Sequence, residues 1–342
     1  MKNFKNNIII FSILSVILLV GCSADSSTDE VSGEGSEKRT IKIANFYADD
    51  HAVNIALNEK FKTIVEEESN GSLEVEVYSN SQLGGEEQMW DSVKNGTLEM
   101  AEIGVVMESE VPMIGILTLP FLFESYDHAQ KVLQGSVGDQ IGEQLEEKAP
   151  IEFLGYGING FRSFSSNKPI EKMEDFKGYR LRSANIPQLL QMSEDLGATV
   201  TPMAISEIFT GLEQGVVDGQ ENPISTLRSN GWYEVQSHVL ESQHVFLPNT
   251  IMINREFWES LTSEQQDVIQ NAVDASAEYE WELFIENEED DKNYLEEQDL
   301  TIIVPDEDFR NQMIDATKGV YDSFYEKNDW GEEIIDEIES AK

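Results

Sequence analysis

Residues 176–244 read FKGYRLRSANIPQLLQMSEDLGATVTPMAISEIFTGLEQGVVDGQENPISTLRSNGWYEVQSHVLESQH, and the fold is decided in this stretch. It opens with a short strand, Arg180–Arg182, in which two arginines flank Leu181. Side chains alternate along a strand, so both arginines share one face and Leu181 points into a core. Pro187–Leu196 has helical apolar spacing, Gly197-Ala198 turns the chain, and Thr201-Pro202-Met203 leads to a second helix over Ser206–Gln214. Val216–Asp218 reads as a strand, Gly219-Gln220-Glu221-Asn222-Pro223 follows, and another helix starts after Pro223. An arginine projecting from a strand end into a cleft suits a carboxylate, because its planar fork donates two parallel hydrogen bonds and stays charged. Spacing leaves open which of the two arginines faces such a cleft.

The same alternation of strands and helices extends towards the N-terminus. Ile41–Asn45 is a short apolar strand, and Ala52–Glu67 places Val53, Leu57, Phe61, Ile64 and Val65 at helical spacing. Leu73, Val75 and Val77 alternate with Glu74 and Glu76, as in a half-buried strand. A helix follows Gly84-Gly85, a strand covers Met100–Val106, helices cover Tyr126–Leu133 and Gly138–Lys148, and a strand starts at Ile151. Such alternation predicts open α/β sheets covered by helices. Thr250–Asn254 is a further strand, and Thr262 to about Gln298 is the longest helical pattern, opened by a Thr262/Gln265 capping box. A helix of that length spans more than one lobe, with Glu286–Asp291 expected on its solvated face. The final helices, including Phe309–Phe324, are expected against the second lobe.

The N-terminus is a targeting segment. Lys2 and Lys5 precede the apolar run Ile8–Val20, which ends in Leu19-Val20-Gly21-Cys22. This is a lipobox: residues 1–21 are expected to be a lipoprotein signal peptide, and Cys22, the only cysteine, to carry the lipid. Residues 22–39 are rich in serine, glycine and acidic side chains and are expected to be a flexible tether. The rest, roughly 300 residues, is too much for one ordinary core and predicts two lobes. With 66 acidic against 23 basic residues, the formal charge is −43, which argues against nucleic acid as a partner and reads as a solvated acidic surface.

Taken with Asn159-Gly160-Phe161-Arg162 upstream, the order Arg180-Leu181-Arg182 … Asp218-Gly219-Gln220-Glu221-Asn222-Pro223 resembles the DctP-type solute-binding proteins of TRAP transporters. The resemblance runs from about Ile41 into the C-terminal helices. It implies a two-lobe, periplasmic-binding-protein-like α/β fold with crossover strands and one long helix spanning both lobes. Residues 40–159 and 248–287 would form lobe I, and residues 160–247 and 288–342 lobe II. It also implies capture of a small organic acid, a C4-dicarboxylate or a sugar acid such as a hexuronate. The lobes would close on the acid and hand it to the transporter's membrane subunits. The resemblance selects Arg182 as the carboxylate ligand, places Arg162 in or behind the clamp, and gives Asn222 a hydrogen bond to the ligand. Weaker assignments by register are Tyr47, Ile205 and Asn249. Family members often carry an aromatic residue at the position of Ile205, and His244 falls at a commonly occupied position but reads better as a structural histidine.

Other chemistry finds little support. Gly155-Tyr156-Gly157-Ile158-Asn159-Gly160 has the spacing of a dinucleotide fingerprint, but the residues after it open no helix to receive a pyrophosphate. Four histidines and one cysteine show no zinc spacing, and there is no G-x-S-x-G elbow. No cofactor, metal or catalytic set is expected. The rivals are an ABC-type solute-binding lipoprotein, a secreted enzyme acting on acidic sugars and a ligand-free scaffold.

Overall fold

The computed structural model describes residues 38–342; Cys22 and the segments expected to be a signal peptide and a tether lie outside the described residues. The strands are β1 Arg39–Ala44, β2 Leu73–Tyr78, β3 Met100–Ile103, β4 Ile151–Phe161, β5 Ser163–Ser166, β6 Arg180–Ser183, β7 Thr199–Pro202, β8 Gly219–Asn222, β9 His238–Leu240, β10 Phe246–Asn254 and β11 Thr301–Ile303. They form two sheets, ordered β2-β1-β3-β10-β4 and β11-β9-β5-β8-β6-β7. In the first, β10 runs antiparallel to β3 and β4; in the second, β5 runs antiparallel to β8 and β9 while β6 lies parallel to both its neighbours. This is the expected two-lobe α/β architecture. No helix of the described residues is long and apolar enough to cross a membrane.

The lobes are joined where the chain leaves one sheet and enters the other. β4 ends at Phe161 and β5 begins at Ser163, so Arg162 alone separates them. The return segment runs alongside: the Arg162 amide donates to the Val245 carbonyl at 2.8 Å, and the His244 amide to the Arg162 carbonyl at 3.2 Å. These paired crossovers are the hinge.

The spanning helix covers Ser263–Glu297, about 52 Å at 1.5 Å per residue. The Thr262 hydroxyl accepts from the Gln265 amide, and the Gln265 side chain from the Thr262 amide, both at 3.2 Å, so the capping box closes as the sequence predicts. Its first half packs on β4 and the helical segment Ala52–Glu68; its second half packs on the helix Ile224–Ser229 and on β11. Asp291 departs from the expected solvated face. It is largely buried and accepts from Arg228 Nη1 at 2.6 Å, tying the spanning helix to the second lobe.

The glycines of the discounted fingerprint have a packing role. They lie within β4 and face the spanning helix. A side chain at Gly157 would meet the carboxyls of Glu102 and Glu280, and one at Gly160, which also has φ +107°, would meet the Phe284 ring. Glycine spacing that resembles a phosphate loop therefore marks where helix and strand approach most closely.

Three boundaries differ from the sequence reading. The helix after Ala52 contains a wider π turn over Leu57–Phe61, which keeps both of these side chains on one buried face. The strand expected at Val216–Asp218 is instead β8, Gly219–Asn222; Val216 is exposed, while all four residues of β8 are buried between β5 and β6. Of the last helices, Glu307–Ala316 and Lys318–Lys327 pack on elements of the second lobe. Gly331–Ser340 packs both on Lys318–Lys327 and on Ser136–Lys148, with His128 Nε2 at 2.8 Å from the Ile338 carbonyl.

Candidate functional site

The C-terminal ends of β6 and β8 meet the hinge at a small cavity between the lobes. Phe46, Glu86, Gly104–Val106 and Asn159 line it from one side, and Arg182, Ala184, Ile186, Ile205 and Asn222 from the other, with Arg162 and Leu247 at the hinge. Crevices at strand carboxyl ends are the usual ligand sites of open α/β sheets. The enclosed space is only ≈ 20 Å³, about one water's worth. It shares Glu86, Val106, Arg182, Ala184 and Ile205 with an adjoining open groove of ≈ 560 Å³.

Arg182 is the central group. It is 3 % exposed, and its Nε and Nη2 both donate to the Met203 carbonyl, at 2.9 and 2.6 Å. No carboxylate forms an ion pair with it among the described residues. Burial pulls its pKa down to about 10, with the Arg162 charge acting in the same direction and Glu221 opposing, so it remains a cation near neutral pH. Arg180, on the other end of the strand, is exposed and bonded to Asp218 through Nε and Nη2 at 3.0 and 2.5 Å.

Arg162 reaches the same cavity but already has a partner. Its Nε and Nη2 hold the Glu221 carboxylate, and Nη2 also donates to the Glu221 carbonyl at 2.5 Å. Glu221 is wholly buried and takes a further bond from Ser183 Oγ at 3.0 Å. Burial works to raise the Glu221 carboxyl, but Arg162 and His244 outweigh it and hold the group down at about 2. His244 stacks on Phe164 with ring centres 4.1 Å apart, bonds Ser242 Oγ through Nδ1 at 2.7 Å, and sets Nε2 3.6 Å from Glu221. This set fixes Arg162 against the hinge while its cavity edge stays open.

Of the residues predicted from sequence, Arg162, Arg182, Asn222 and Ile205 come together on the cavity wall. Asn222 Nδ2 donates to Gln220 Oε1 at 2.6 Å, which orients its amide. Tyr47 and Asn249 stand behind the lining: both are fully buried, and the Tyr47 hydroxyl donates to Asn249 Oδ1 at 2.8 Å. Cys22 lies outside the described residues.

Two polar lining residues were missed by sequence reasoning. Glu86 opens the helix Glu86–Lys94, and its Oε1 accepts from the Gly104 amide at 2.9 Å. Burial raises the Glu86 carboxyl, opposed by that bond and by both cavity arginines. Asn159 is 4 % exposed and its Oδ1 has no protein partner. It sits at a register shift where Ile158 pairs with Pro248 and Gly160 with Leu247, so Asn159 has no opposite number in β10. Pro248 has no amide to donate, and the bulge at this point turns the Asn159 side chain towards the cavity. Asn159 did appear in the motif ahead of Arg162, but nothing in spacing marked it as a cavity residue.

Two lobes hinged beside a buried, unpaired cation are the architecture of a protein that closes on a small anion. The chain matches the bacterial extracellular solute-binding proteins, family 7, over residues 43–328. It belongs to that family, the DctP family, and is a TRAP-transporter solute-binding protein. It is similar to a TRAP periplasmic solute-binding protein from Haemophilus influenzae with bound L-gulonate: 40% identity, 89% of this chain and 100% of that one covered, TM-score 0.87. A TRAP periplasmic protein from Roseobacter denitrificans with bound L-galactonate is 31% identical, with 89% and 99% covered and a TM-score of 0.80. A sugar acid binding protein from Advenella mimigardefordensis in complex with galactonate is 29% identical, with 90% and 99% covered and a TM-score of 0.86.

Proposed function

We propose that this protein captures a sugar monoacid, an aldonate or hexuronate, with its carboxylate on Arg182 at the enclosed end of the cleft and its hydroxyls towards the groove. The observation that carries this reading is the buried Arg182 guanidinium without a carboxylate partner. Asn222, Asn159 and the free edge of Arg162 complete the carboxylate's hydrogen bonds. Glu86 stands on the same wall, and Glu87, Gln88, Asn185, Ser206 and Glu207 line the groove beyond. Such a row of acceptors and amides suits hydroxyl groups. It opposes a second carboxylate, which would meet Glu86, Glu87 and Glu207 while Arg162 is already committed to Glu221. A sugar acid is therefore favoured over a C4-dicarboxylate. The three similar structures described above, with L-gulonate, L-galactonate and galactonate, support that choice. Because the enclosed space is so small, entry requires the lobes to part at the hinge and close again behind the ligand.

The expected result of a thermal-shift panel is a rise in melting temperature with L-gulonate, galactonate or galacturonate and little change with succinate or malate. At a hundredfold excess over Kd, the gain is about 2.7 kcal/mol of stability. A shift with succinate and none with the sugar acids would reverse the assignment.

The protein works as a carrier, returning its ligand chemically unchanged, and is anchored outside the cytoplasm by lipid on Cys22. The lipobox motif supports the anchor. Cys22→Ser should move the protein from the membrane fraction to the soluble one and abolish incorporation of labelled fatty acid. Label retained by the Ser variant would place the lipid elsewhere.

A further inference from the structure

Two buried carboxyl groups lie behind the cavity wall. Glu102 in β3 and Glu280 in the spanning helix are each 0 % exposed. They meet over Gly157, where the oxygens of Glu280 stand 2.8 and 3.1 Å from the point a Cβ would occupy and Glu102 Oε1 stands closer still. Glu280 Oε1 accepts the Ile158 amide at 2.6 Å; Glu102 Oε1 accepts Asn249 Nδ2 at 3.2 Å. Asn249 Nδ2 also donates to the Ile158 carbonyl at 3.2 Å. Both backbone groups of Ile158, freed by the bulge opposite Pro248, are thus taken by this cluster. One oxygen on each carboxyl, Oε2 of Glu102 and Oε2 of Glu280, is left without a donor. A single proton between the two groups removes that deficit and the repulsion of two like charges.

We propose that Glu280, through a proton shared with Glu102, is a positioning residue of the binding site. It pins the β4 bulge to the spanning helix and so holds Asn159 in the cavity. The inference rests on the reading of that cavity as the acid site, but its geometry is testable without any ligand. Tyr47 faces the pair from the loop after β1, Asn249 from β10 and the Ile158 backbone from β4, while Glu86, on the helix beyond, acts on Tyr47. Neither carboxyl forms an ion pair among the described residues. Burial pushes the Glu102 carboxyl up to about 7, and burial together with the Glu102 charge pushes Glu280 well above the usual carboxylate range. A raised folded-state pKa stabilises the native form below the ordinary carboxylate range, near 4.5, and the benefit fades as pH rises through about 7. The bulge should therefore loosen in alkaline solution.

The test is hydrogen–deuterium exchange of the peptide covering residues 151–161, in ligand-free protein at pH 6 and pH 9 and corrected for intrinsic exchange. In the wild type, protection of the Ile158–Gly160 amides should fall by about tenfold or more between the two conditions. Glu280→Gln keeps an acceptor for Ile158 and supplies a permanent donor to Glu102, so its protection should be nearly the same at both pH values. Glu280→Ala should be unprotected at both. If the Ala variant does not fold, the comparison of Gln with wild type still decides. A Gln variant that loses protection with pH as the wild type does, or an Ala variant as protected as wild type, overturns the proposal. Titration of the wild type with L-gulonate at pH 6 reports separately on the site itself. Glu86, which titrates at the cavity, is unchanged in every variant, so the difference between profiles belongs to the pair.

Discussion

Replacing Arg182 with alanine should reduce affinity for the bound acid from tens-fold to thousands-fold, a loss of about 2–5 kcal/mol. The carboxylate would enter a cleft in which its one uncommitted cation is gone, since Arg162 is held by Glu221. Arg182→Lys should also bind poorly. An ammonium keeps the charge, but it cannot bond the Met203 carbonyl and a ligand carboxylate with the same planar fork. Arg180→Ala, on the same strand, should change affinity little, because that side chain is spent on Asp218 at the exposed end of the strand. Calorimetric titration of the three variants with L-gulonate and galactonate, each checked for folding, reads out the order. If Arg180→Ala abolished binding and Arg182→Ala did not, the roles of the two arginines would be exchanged.

The largest stability effect is expected at Glu221. Glu221→Ala leaves Arg162 buried and unpaired, next to a second buried arginine. Breaking one side of such a pair typically costs about 3–5 kcal/mol, equivalent here to a drop of roughly 5–8 °C in melting temperature. Glu221→Gln keeps the shape and part of the hydrogen bonding and should fall between the two. The Glu221 carboxyl is held at about 2, below its unfolded value. Its stabilisation is therefore fully present above the ordinary carboxylate pKa and is lost as pH falls towards 2. Melting curves of wild type and Glu221→Gln should differ most at neutral pH and converge as the solution is acidified towards pH 2. Curves separated by the same amount throughout would remove the charge of Glu221 from the explanation.

Local patterns in the chain carried much of the fold. The capping box at Thr262 and the uninterrupted stripe after it placed the spanning helix almost to the residue, because cap chemistry and 3.6-residue periodicity are local properties. Alternation in Leu73–Val77 did the same for β2. β8 was misplaced by three residues because its members, Gly219, Gln220, Glu221 and Asn222, are polar yet buried. Apolar alternation cannot find a strand whose side chains are satisfied by Arg162, Ser165 and Ser183. The site divides in the same way. Arg162, Arg182 and Asn222 were legible from the resemblance carried by their motifs. Asn159 and Glu86 were not, since one depends on a bulge opposite Pro248 and the other on a bond to Gly104 across the lobe. Glu102 and Glu280 looked like two among many acidic residues. Only the approach of the spanning helix to Gly157 distinguishes them from solvated side chains.

The most direct measurement is a crystal structure of the protein grown with L-gulonate or galactonate. The ligand carboxylate is expected at the enclosed end of the cleft, with both oxygens within about 2.7–3.0 Å of Arg182 nitrogens, and the hydroxyl chain beside Glu86. A ligand seated in the same cleft with its carboxylate turned away from Arg182 would contradict it. So would a ligand in the separate groove lined by Arg228, Asp290 and Tyr294, with the Arg182 cavity left unfilled.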